Sequence, residues 1–260
     1  MPRGTILGDH RLLAGDSTKP NDVARLMNGE TAAIMATDPP YLINYRGGDH
    51  PESWSRKGRR TKDPHWDDYY GRDQSSDFYA SFITAALPHL APHFAFYHWH
   101  SGLRSGLVLE AWARTGMHVH QQIIWVKTRP VLTRCHFMWK HETCFYGWAD
   151  GRGPKSKPPS NETTVWEVSQ VGEYDGTHPT QKPVELFRRP LLWHLEPGGL
   201  AYEPFSGSGT ALIAAESMGR HVYAMELEPR FVDCAITRWQ NFTGKTAILE
   251  SSGQSFHAKR

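Results

Sequence analysis

The sequence predicts a doubly wound α/β fold, in which helices cover both faces of a mostly parallel sheet. Short apolar runs of strand length alternate along the chain with amphipathic stretches of helix length. Turns rich in proline or glycine follow two of these apolar runs, where strands of such a sheet would end. A length of 260 residues suits one large domain, residues 1–260, with inserted loops at 45–77 and 128–177.

The individual elements follow from the spacing of apolar residues, because strands and helices repeat with different periods. Predicted strands occupy residues 11–14, 32–36, 94–99, 122–127, 141–148, 199–203 and 221–226. Predicted helices are the stretch that contains Val23 to Met27, and residues 78–89, 103–115, 184–195, 211–220 and 229–242. Pro229 suits the first turn of the last helix, where its missing N–H is not needed.

Composition narrows the function classes. The net charge is only +2, so any binding of nucleic acid must depend on a local basic patch. The three cysteines, Cys135, Cys144 and Cys234, have no paired metal-ligand spacing and would leave one thiol unpaired, which indicates a reducing interior. We expect neither a membrane span nor export, because there is no run of 18 apolar residues and no charged-then-apolar leader.

The first candidate site is the turn from Asp38 to Tyr41, directly after the strand at 32–36. Pro39 and Pro40 hold the backbone rigid and supply no N–H donors, so the turn offers carbonyl oxygens, one carboxylate and one aromatic ring. These groups suit a planar guest with an amino group, such as adenine or cytosine. The alternative is an ordinary turn in which Tyr41 simply packs.

The second candidate site is a glycine-rich turn at 204–209, with a strand before it and a helix and a second strand after it. The glycines allow the backbone to approach a ligand closely, and Glu226 at the end of the second strand could accept from ribose hydroxyls. The 23 residues from Glu203 to Glu226 suit one βαβ unit. The turn lacks Gly-Lys-Ser/Thr, which favours a nucleoside without phosphates.

Together with His178–Leu186 (HPTQKPVEL), these motifs resemble those of the S-adenosylmethionine (SAM)-dependent DNA amino-methyltransferases, which act on N6 of adenine or N4 of cytosine. The catalytic motif precedes the cofactor loop, as in the permuted β class, and the resemblance extends from about Leu12 to Gly244. It implies a Rossmann-like, mostly parallel seven-stranded sheet and SAM as cofactor. The catalytic residues it implies are Asp38, Pro39, Pro40 and Tyr41.

The resemblance also implies a set of cofactor-binding residues. They are Asp16, Thr180, Lys182, Glu203, Phe205, Ser206, Gly207, Ser208, Gly209, Thr210, Glu226 and Leu227. Glu203 departs from the family, whose loop usually opens with aspartate. Asp16 has two open interpretations, an acid near the adenine of the cofactor or a cap for the helix that follows.

Two basic segments without acids are interpreted as DNA-binding, the first of them next to the catalytic turn. Their candidate residues are Arg56, Lys57, Arg59, Arg60, Lys62, Arg129, Arg134 and Lys140. A solvated loop remains the alternative for the first segment. Phe137 and Trp139 could line a base pocket or pack in the core, and Glu142 could orient a pocket residue or form a surface ion pair. His98 and His100 share one strand face without enough neighbouring ligands to predict a metal.

The prediction for function is methylation of N6 of a flipped-out adenine in double-stranded DNA, because aspartate opens the catalytic motif where serine is more usual in the N4-cytosine enzymes. The alternatives are N4-cytosine methylation, an RNA or protein-amide methyltransferase, and an inactive DNA-binding subunit. The resemblance implies a cytoplasmic, bacterial or phage-encoded enzyme. In the permuted class the region that reads the bases lies between the two motifs, so the inserted loops at 45–77 and 128–177 would form a small target-recognition region. Both loops are short, which predicts a short recognition sequence or a homodimer.

Overall fold

A computed structural model describes residues 3–41, 76–131, 136–169 and 181–257, which form one mixed sheet with helices on both faces. The strands are β1 (Arg3–Leu7), β2 (His10–Ala14), β3 (Ala32–Thr37), β4 (Leu90–His100), β5 (Met117–Val131), β6 (Trp139–Ala149), β7 (Val165–Glu167), β8 (Leu200–Glu203), β9 (His221–Glu226) and β10 (Ile248–Leu249). The helices are α1 (Pro20–Met27), α2 (Asp77–Ala86), α3 (Ser105–Arg114), α4 (Glu185–His194), α5 (Thr210–Glu216) and α6 (Pro229–Thr243). Short 3₁₀ turns span Leu87–His89 and Gly102–Arg104.

The strand order is β10-β1-β2-β9-β8-β3-β4-β6-β5-β7. The five central strands, β2, β9, β8, β3 and β4, are parallel to one another, and β6 joins β4 in the antiparallel sense. Each face of the sheet carries a hydrophobic core. Helices α1, α2 and α3 pack on one core, and α4, α5 and α6 pack on the other. The predicted doubly wound α/β class is therefore confirmed.

The functional edge of the sheet follows from this order. From β3 the chain crosses over through α2 to β4 on one side, whereas from β8 it crosses through α5 to β9 on the other. The connections diverge between β3 and β8, and such a switch point leaves a crevice beyond the carboxyl ends of the strands. The catalytic motif follows β3 and the glycine-rich turn follows β8, so both motifs lie at this crevice.

The sheet differs from the prediction in strand number, since ten strands are present in the described ranges rather than seven. The three additional strands, β1, β7 and β10, are short and lie at or next to the sheet edges. Such strands carry little apolar periodicity and depend on the neighbouring strand for their backbone hydrogen bonds. β7 lies inside the stretch at 128–177 that was predicted to be a loop. No described helix has the length and apolar character needed to cross a bilayer.

Candidate active site

The turn from Asp38 to Tyr41 begins where β3 ends, at the carboxyl edge of the sheet. Pro39 is buried, and the other three residues are partly buried. The hydroxyl of Tyr79, on α2, donates a hydrogen bond of 3.2 Å to the carbonyl oxygen of Pro40. Two prolines and this bond to a buried tyrosine restrict the turn, so the Asp38 carboxylate projects from a rigid support.

Lys182, from the segment just before α4, contacts both ends of this turn. Its ammonium nitrogen lies 2.6 Å from Oδ2 of Asp38 and 3.0 Å from the Tyr41 hydroxyl oxygen. The Tyr41 hydroxyl lies 2.8 Å from Oδ1 of Asp38, to which it can donate its single proton. Each carboxylate oxygen has a second lone pair, so Asp38 retains the capacity to accept from a bound ligand.

A second carboxylate, that of Glu142 on β6, completes the cluster. Its Oε2 atom lies 2.9 Å from the Lys182 ammonium and 3.0 Å from the Tyr41 hydroxyl, while Oε1 pairs with Lys127 on β5. Lysines and carboxylates therefore alternate in the order Lys127, Glu142, Lys182 and Asp38. We call these four residues the ion-pair network. Their formal charges cancel, which permits their burial together.

Burial and pairing shift the pKa values of these groups in different directions. Burial raises the pKa of Asp38 above its ordinary value of 3.8, although the Lys182 ammonium opposes that rise. Burial alone would raise the pKa of Glu142 too, but the charges of Lys182 and Lys127 outweigh it and lower the pKa to about 2. Burial and the Asp38 charge raise the pKa of Tyr41 well above 10.0, so it stays a neutral phenol.

The glycine-rich turn after β8 connects to the catalytic motif through Glu203. Its Oε1 atom accepts from the Thr37 hydroxyl at 2.6 Å and from the Phe205 N–H at 2.9 Å. The other oxygen, Oε2, and the hydroxyl of Ser206 are buried without a hydrogen-bond partner among the described residues. Burial raises the pKa of Glu203 well above 4.5 despite both bonds. A ligand that brings a hydrogen-bond donor or a positive charge would satisfy these atoms.

Glu226, the last residue of β9, holds the same turn from the other side. Its carboxylate accepts from the N–H of Gly207 at 2.8 Å and from the N–H of Glu228 at 2.9 Å. Gly209 has a φ of +79°, and a Cβ there would lie 3.0 Å from Cβ of Ala235, so only glycine fits. The turn is thus narrow and preformed, with a carboxylate at its side.

Arg238, on α6, supports the outer side of the turn. One guanidinium nitrogen donates to the Ser208 carbonyl at 3.3 Å, to the Ser208 hydroxyl at 3.2 Å and to the Thr210 hydroxyl at 3.1 Å. Phe205 packs edge-on against Phe82 of α2, with the ring centroids 5.0 Å apart. Leu227 follows Glu226 at the end of β9 and is partly buried.

Asp16 lies beside Glu226, because β2 pairs with β9 so that Ala14 opposes Glu226. Its Oδ1 atom accepts from both the N–H and the hydroxyl of Thr18, at 2.9 and 2.7 Å. The residue before α1 is Lys19, and no side chain caps that helix through a hydrogen bond. Asp16 therefore stabilises the turn ahead of α1 rather than capping the helix, and its role near the adenine of the cofactor stays a prediction.

The remaining predicted residues fall into two groups. Arg129 on β5 and Lys140 on β6 are exposed. The others lie outside the described residues, namely Arg56, Lys57, Arg59, Arg60, Lys62, Arg134 and Thr180.

Sequence reasoning did not place Lys127 in the site, and it left the role of Glu142 open. The structure decides for an orienting role of Glu142, since its carboxylate contacts Lys182 and Tyr41. The absence of acids from 127 to 140 suggested that Lys127 belongs to a basic surface, whereas its side chain is buried against Glu142 and over the Trp125 ring. Core packing, the other interpretation of Phe137 and Trp139, is wrong, because both are exposed.

His98 and His100, at the carboxyl end of β4, are buried beside the catalytic turn. The His98 ring lies 5.4 Å from that of Tyr79, and its Nδ1 atom accepts from the Trp112 indole N–H at 3.0 Å. Burial lowers the pKa of both rings, that of His100 to about 4, so they are neutral at pH 7. No group of three potential metal ligands occurs in the part of the chain that the structure describes.

The fold and the site together define a class of enzyme with two adjoining sites at one switch point. One is the narrow glycine-rich turn held by the Glu226 carboxylate, and the other is the Asp38 carboxylate on a proline-rich turn. Residues 32–237 match the model of the N6_N4_Mtase family, described as DNA methylase. The chain belongs to this family, which confirms the resemblance to SAM-dependent DNA amino-methyltransferases.

Individual proteins agree with this family assignment. The type II methyltransferase M2.DpnII of Streptococcus pneumoniae is 25% identical over 232 residues, which cover 82% of this chain and 84% of the relative. The crystal structure of an M1.HpyAVI–SAM complex has a TM-score of 0.64 at 20% identity and covers 87% of this chain and 97% of its own. PvuII DNA methyltransferase, which is cytosine-N4-specific, has a TM-score of 0.68 at 16% identity, with 91% of each chain covered.

Proposed function

We propose that this protein transfers the methyl group of SAM to N6 of an adenine that is flipped out of double-stranded DNA. The observation that carries the proposal is the partly buried Asp38 carboxylate, which Lys182 and Tyr41 hold at the switch point. Asp38 is joined to the glycine-rich turn through Thr37 and Glu203, which are 2.6 Å apart. The aspartate at this position of the motif is the reason for preferring adenine to cytosine.

The residues that would hold the cofactor are Glu226, Glu203 and Ser206. Glu226 suits the ribose hydroxyls, because its carboxylate is fixed by the backbone of the turn. The unpartnered oxygens of Glu203 and Ser206 suit a group with donors and positive charge, such as the ammonium of the methionine end. Bound SAM supplies a methyl group activated by its sulfonium.

Asp38 would act on the target amine. The lone pair of an exocyclic amine is delocalised into the ring, which makes it a poor nucleophile. Hydrogen bonds from its two protons to the Asp38 carboxylate and the Pro39 carbonyl would draw the nitrogen toward tetrahedral geometry and direct its lone pair. After transfer the nitrogen must lose a proton, and the raised pKa of Asp38 suits it to accept that proton. The Tyr41 ring would cover the base.

The pH dependence of the rate is a direct test of the role of Asp38. A protonated Asp38 already carries a proton and cannot take the one that the amine must lose, so the rate should fall as the pH drops through its pKa. Burial raises that pKa, and the acid limb should therefore lie above the pH expected for an exposed aspartate. Lys182→Met removes the opposing positive charge and should move the limb further upward. Single-turnover rates from pH 5 to pH 9 locate the acid limb of the wild-type protein and that of Lys182→Met. An acid limb at the same pH in both proteins would contradict this assignment.

Cofactor binding offers a second test. Glu226→Ala should weaken SAM binding by about 10- to 150-fold, which corresponds to the loss of charged hydrogen bonds of about 1.5 to 3 kcal/mol. Isothermal titration with SAM measures the change. Glu228→Ala is the matched control, since the side chain of this neighbouring glutamate is 43% exposed and lies 3.8 Å from Arg230. Equal losses in the two variants would reject a specific role for Glu226.

The proposed reaction is tested with tritiated SAM and unmethylated genomic DNA, followed by digestion to nucleosides. Label in N6-methyladenine supports the proposal in full. Label in N4-methylcytosine keeps the mechanism and changes the target base. If no nucleoside is labelled although SAM binds, the proposal gives way to an RNA or protein-amide substrate or to an inactive DNA-binding subunit.

A further inference from the structure

The start of β6 carries an apolar patch that projects from the sheet. Phe137 is 88% exposed, Met138 is 53% exposed and Trp139 is 36% exposed. Large apolar side chains rarely lie this exposed in succession unless they meet a partner. We call these three residues the β6 tip.

The β6 tip lies at the edge of the sheet that carries the active site. Glu142 of the ion-pair network is three residues further along β6 than Trp139, a distance of about 10 Å along a strand. β6 is antiparallel to β4, and Thr143 opposes His100 at the carboxyl end of β4. Residues before Thr143 therefore extend past the carboxyl edge of the sheet. The Trp139 ring covers Gly102, where a Cβ would lie 3.7 Å from it, and so anchors the tip.

Charge identifies the kind of partner. Lys140 on β6 and Arg129 on β5 are exposed beside the tip, and the sequence from 127 to 140 contains no acid. An apolar patch next to two exposed cations suits a polyanion with flat apolar groups, which is the chemistry of DNA. A second protein is disfavoured, because three side chains offer far less than the roughly 800 Å² that each partner buries in a stable interface.

We propose that Phe137 and Met138 enter the DNA duplex beside the target base and occupy the space that the base leaves when it flips into the active site. Lys140 and Arg129 contact the flanking phosphates. The proposal rests on the proposed function, because a wedge is needed only if the target base leaves a duplex. A flipped base leaves its former neighbours unstacked, and an inserted apolar side chain restores part of that contact.

The test compares a paired target base with one that is already unpaired. Once the recognition site has been mapped by sequencing methylated genomic DNA, two duplex oligonucleotides are made, one with the target base paired and one with an abasic site opposite it. Single-turnover methylation by Phe137→Ala should be about tenfold slower on the paired duplex, in line with the loss of one base–aromatic contact. On the abasic duplex the variant should match the wild-type protein. Phe137→Trp, which keeps an aromatic ring at this position, should match the wild-type rate on the paired duplex.

Phe242→Ala is the matched control, because Phe242 is 52% exposed in the last turn of α6. α6 starts at the carboxyl end of β9 and runs antiparallel to that strand. The Phe242 ring therefore lies toward the amino ends of the parallel strands, away from the active site. The control should match the wild-type protein on both duplexes. A wild-type rate for Phe137→Ala on the paired duplex, or equal slowing on both duplexes, would reject the wedge alone. If the wild-type protein methylates no DNA, the proposed function and the wedge fail together.

Discussion

Asp38→Ala should lose methyl transfer by about 10²- to 10⁴-fold, the range seen when a group that acts on the reacting atoms is removed. The carboxylate is the acceptor that we assign to the target amine, and Lys182 and Tyr41 cannot replace it because both already donate to it. SAM binding should be unaffected, because the assigned cofactor residues do not include Asp38. Single-turnover methylation and titration with SAM separate the two effects.

Two further variants make this prediction specific. Asp38→Asn keeps the shape of the side chain but turns one acceptor into a donor, so its activity should also be strongly reduced. Asp150→Ala is the control, since Asp150 is 97% exposed and follows the last residue of β6, at the end of the sheet opposite the active site. An Asp38→Ala variant with undiminished methyl transfer would reject the mechanism.

Lys182→Met should lower the free energy of unfolding by about 3 to 5 kcal/mol, the usual effect of removing one partner from a buried ion pair. The Lys182 ammonium lies between two largely buried carboxylates, 2.6 Å from Asp38 and 2.9 Å from Glu142. Without it, Glu142 keeps Lys127 but Asp38 has no cation, and the two carboxylates repel each other. Urea unfolding at pH 7 measures the loss.

Lys157→Met is the matched control, because Lys157 is exposed and has no ion pair among those described. Its free energy of unfolding should equal that of the wild-type protein. The double variant Lys182→Met/Asp38→Asn should be more stable than Lys182→Met alone, because it neutralises the carboxylate that lost its cation and leaves Glu142 paired with Lys127. A Lys182→Met protein as stable as the wild type would show that the ion-pair network does not contribute to the free energy of unfolding.

Stability at low pH follows from the same contacts. The two lysines lower the pKa of Glu142 to about 2 from an unfolded value of 4.5. This lowered pKa contributes stability above pH 4.5, and the contribution is lost as the pH falls from there toward 2.

The local parts of the fold could be predicted from the sequence. The strand before Asp38, the glycine-rich turn and the strand that ends at Glu226 were all found where expected, because apolar periodicity and turn residues act over short ranges. The ends of elements were less certain. The predicted helix 78–89 ends as an α-helix at Ala86 and continues as a 3₁₀ turn, which contains Pro88. β4 begins at Leu90 rather than at 94, since Leu90 pairs with Ala32 of β3, and a register shift separates this pair from the run that starts at Ala95.

The sequence by itself determined which chemical groups this protein brings to its substrate. A carboxylate on a proline-rich turn, a glycine-rich turn and an acid 23 residues beyond Glu203 identified a nucleoside-type cofactor and an amine acceptor. Each of these features is formed by residues that are close together in the sequence, so the groups that it offers to a ligand can be predicted from those residues alone.

Only the tertiary structure decided which groups act on one another. Lys182 contacts Asp38 across 144 positions of the chain, and Glu142 contacts Tyr41 across 101. Neither contact has a local signal. The first depends on where the segment before α4 meets the end of β3, and the second on the register of β6 in the sheet. Burial then makes each charge costly unless a partner is near. Lys127 meets Glu142 because β5 pairs with β6, whereas Phe137 lies just before β6 and is exposed.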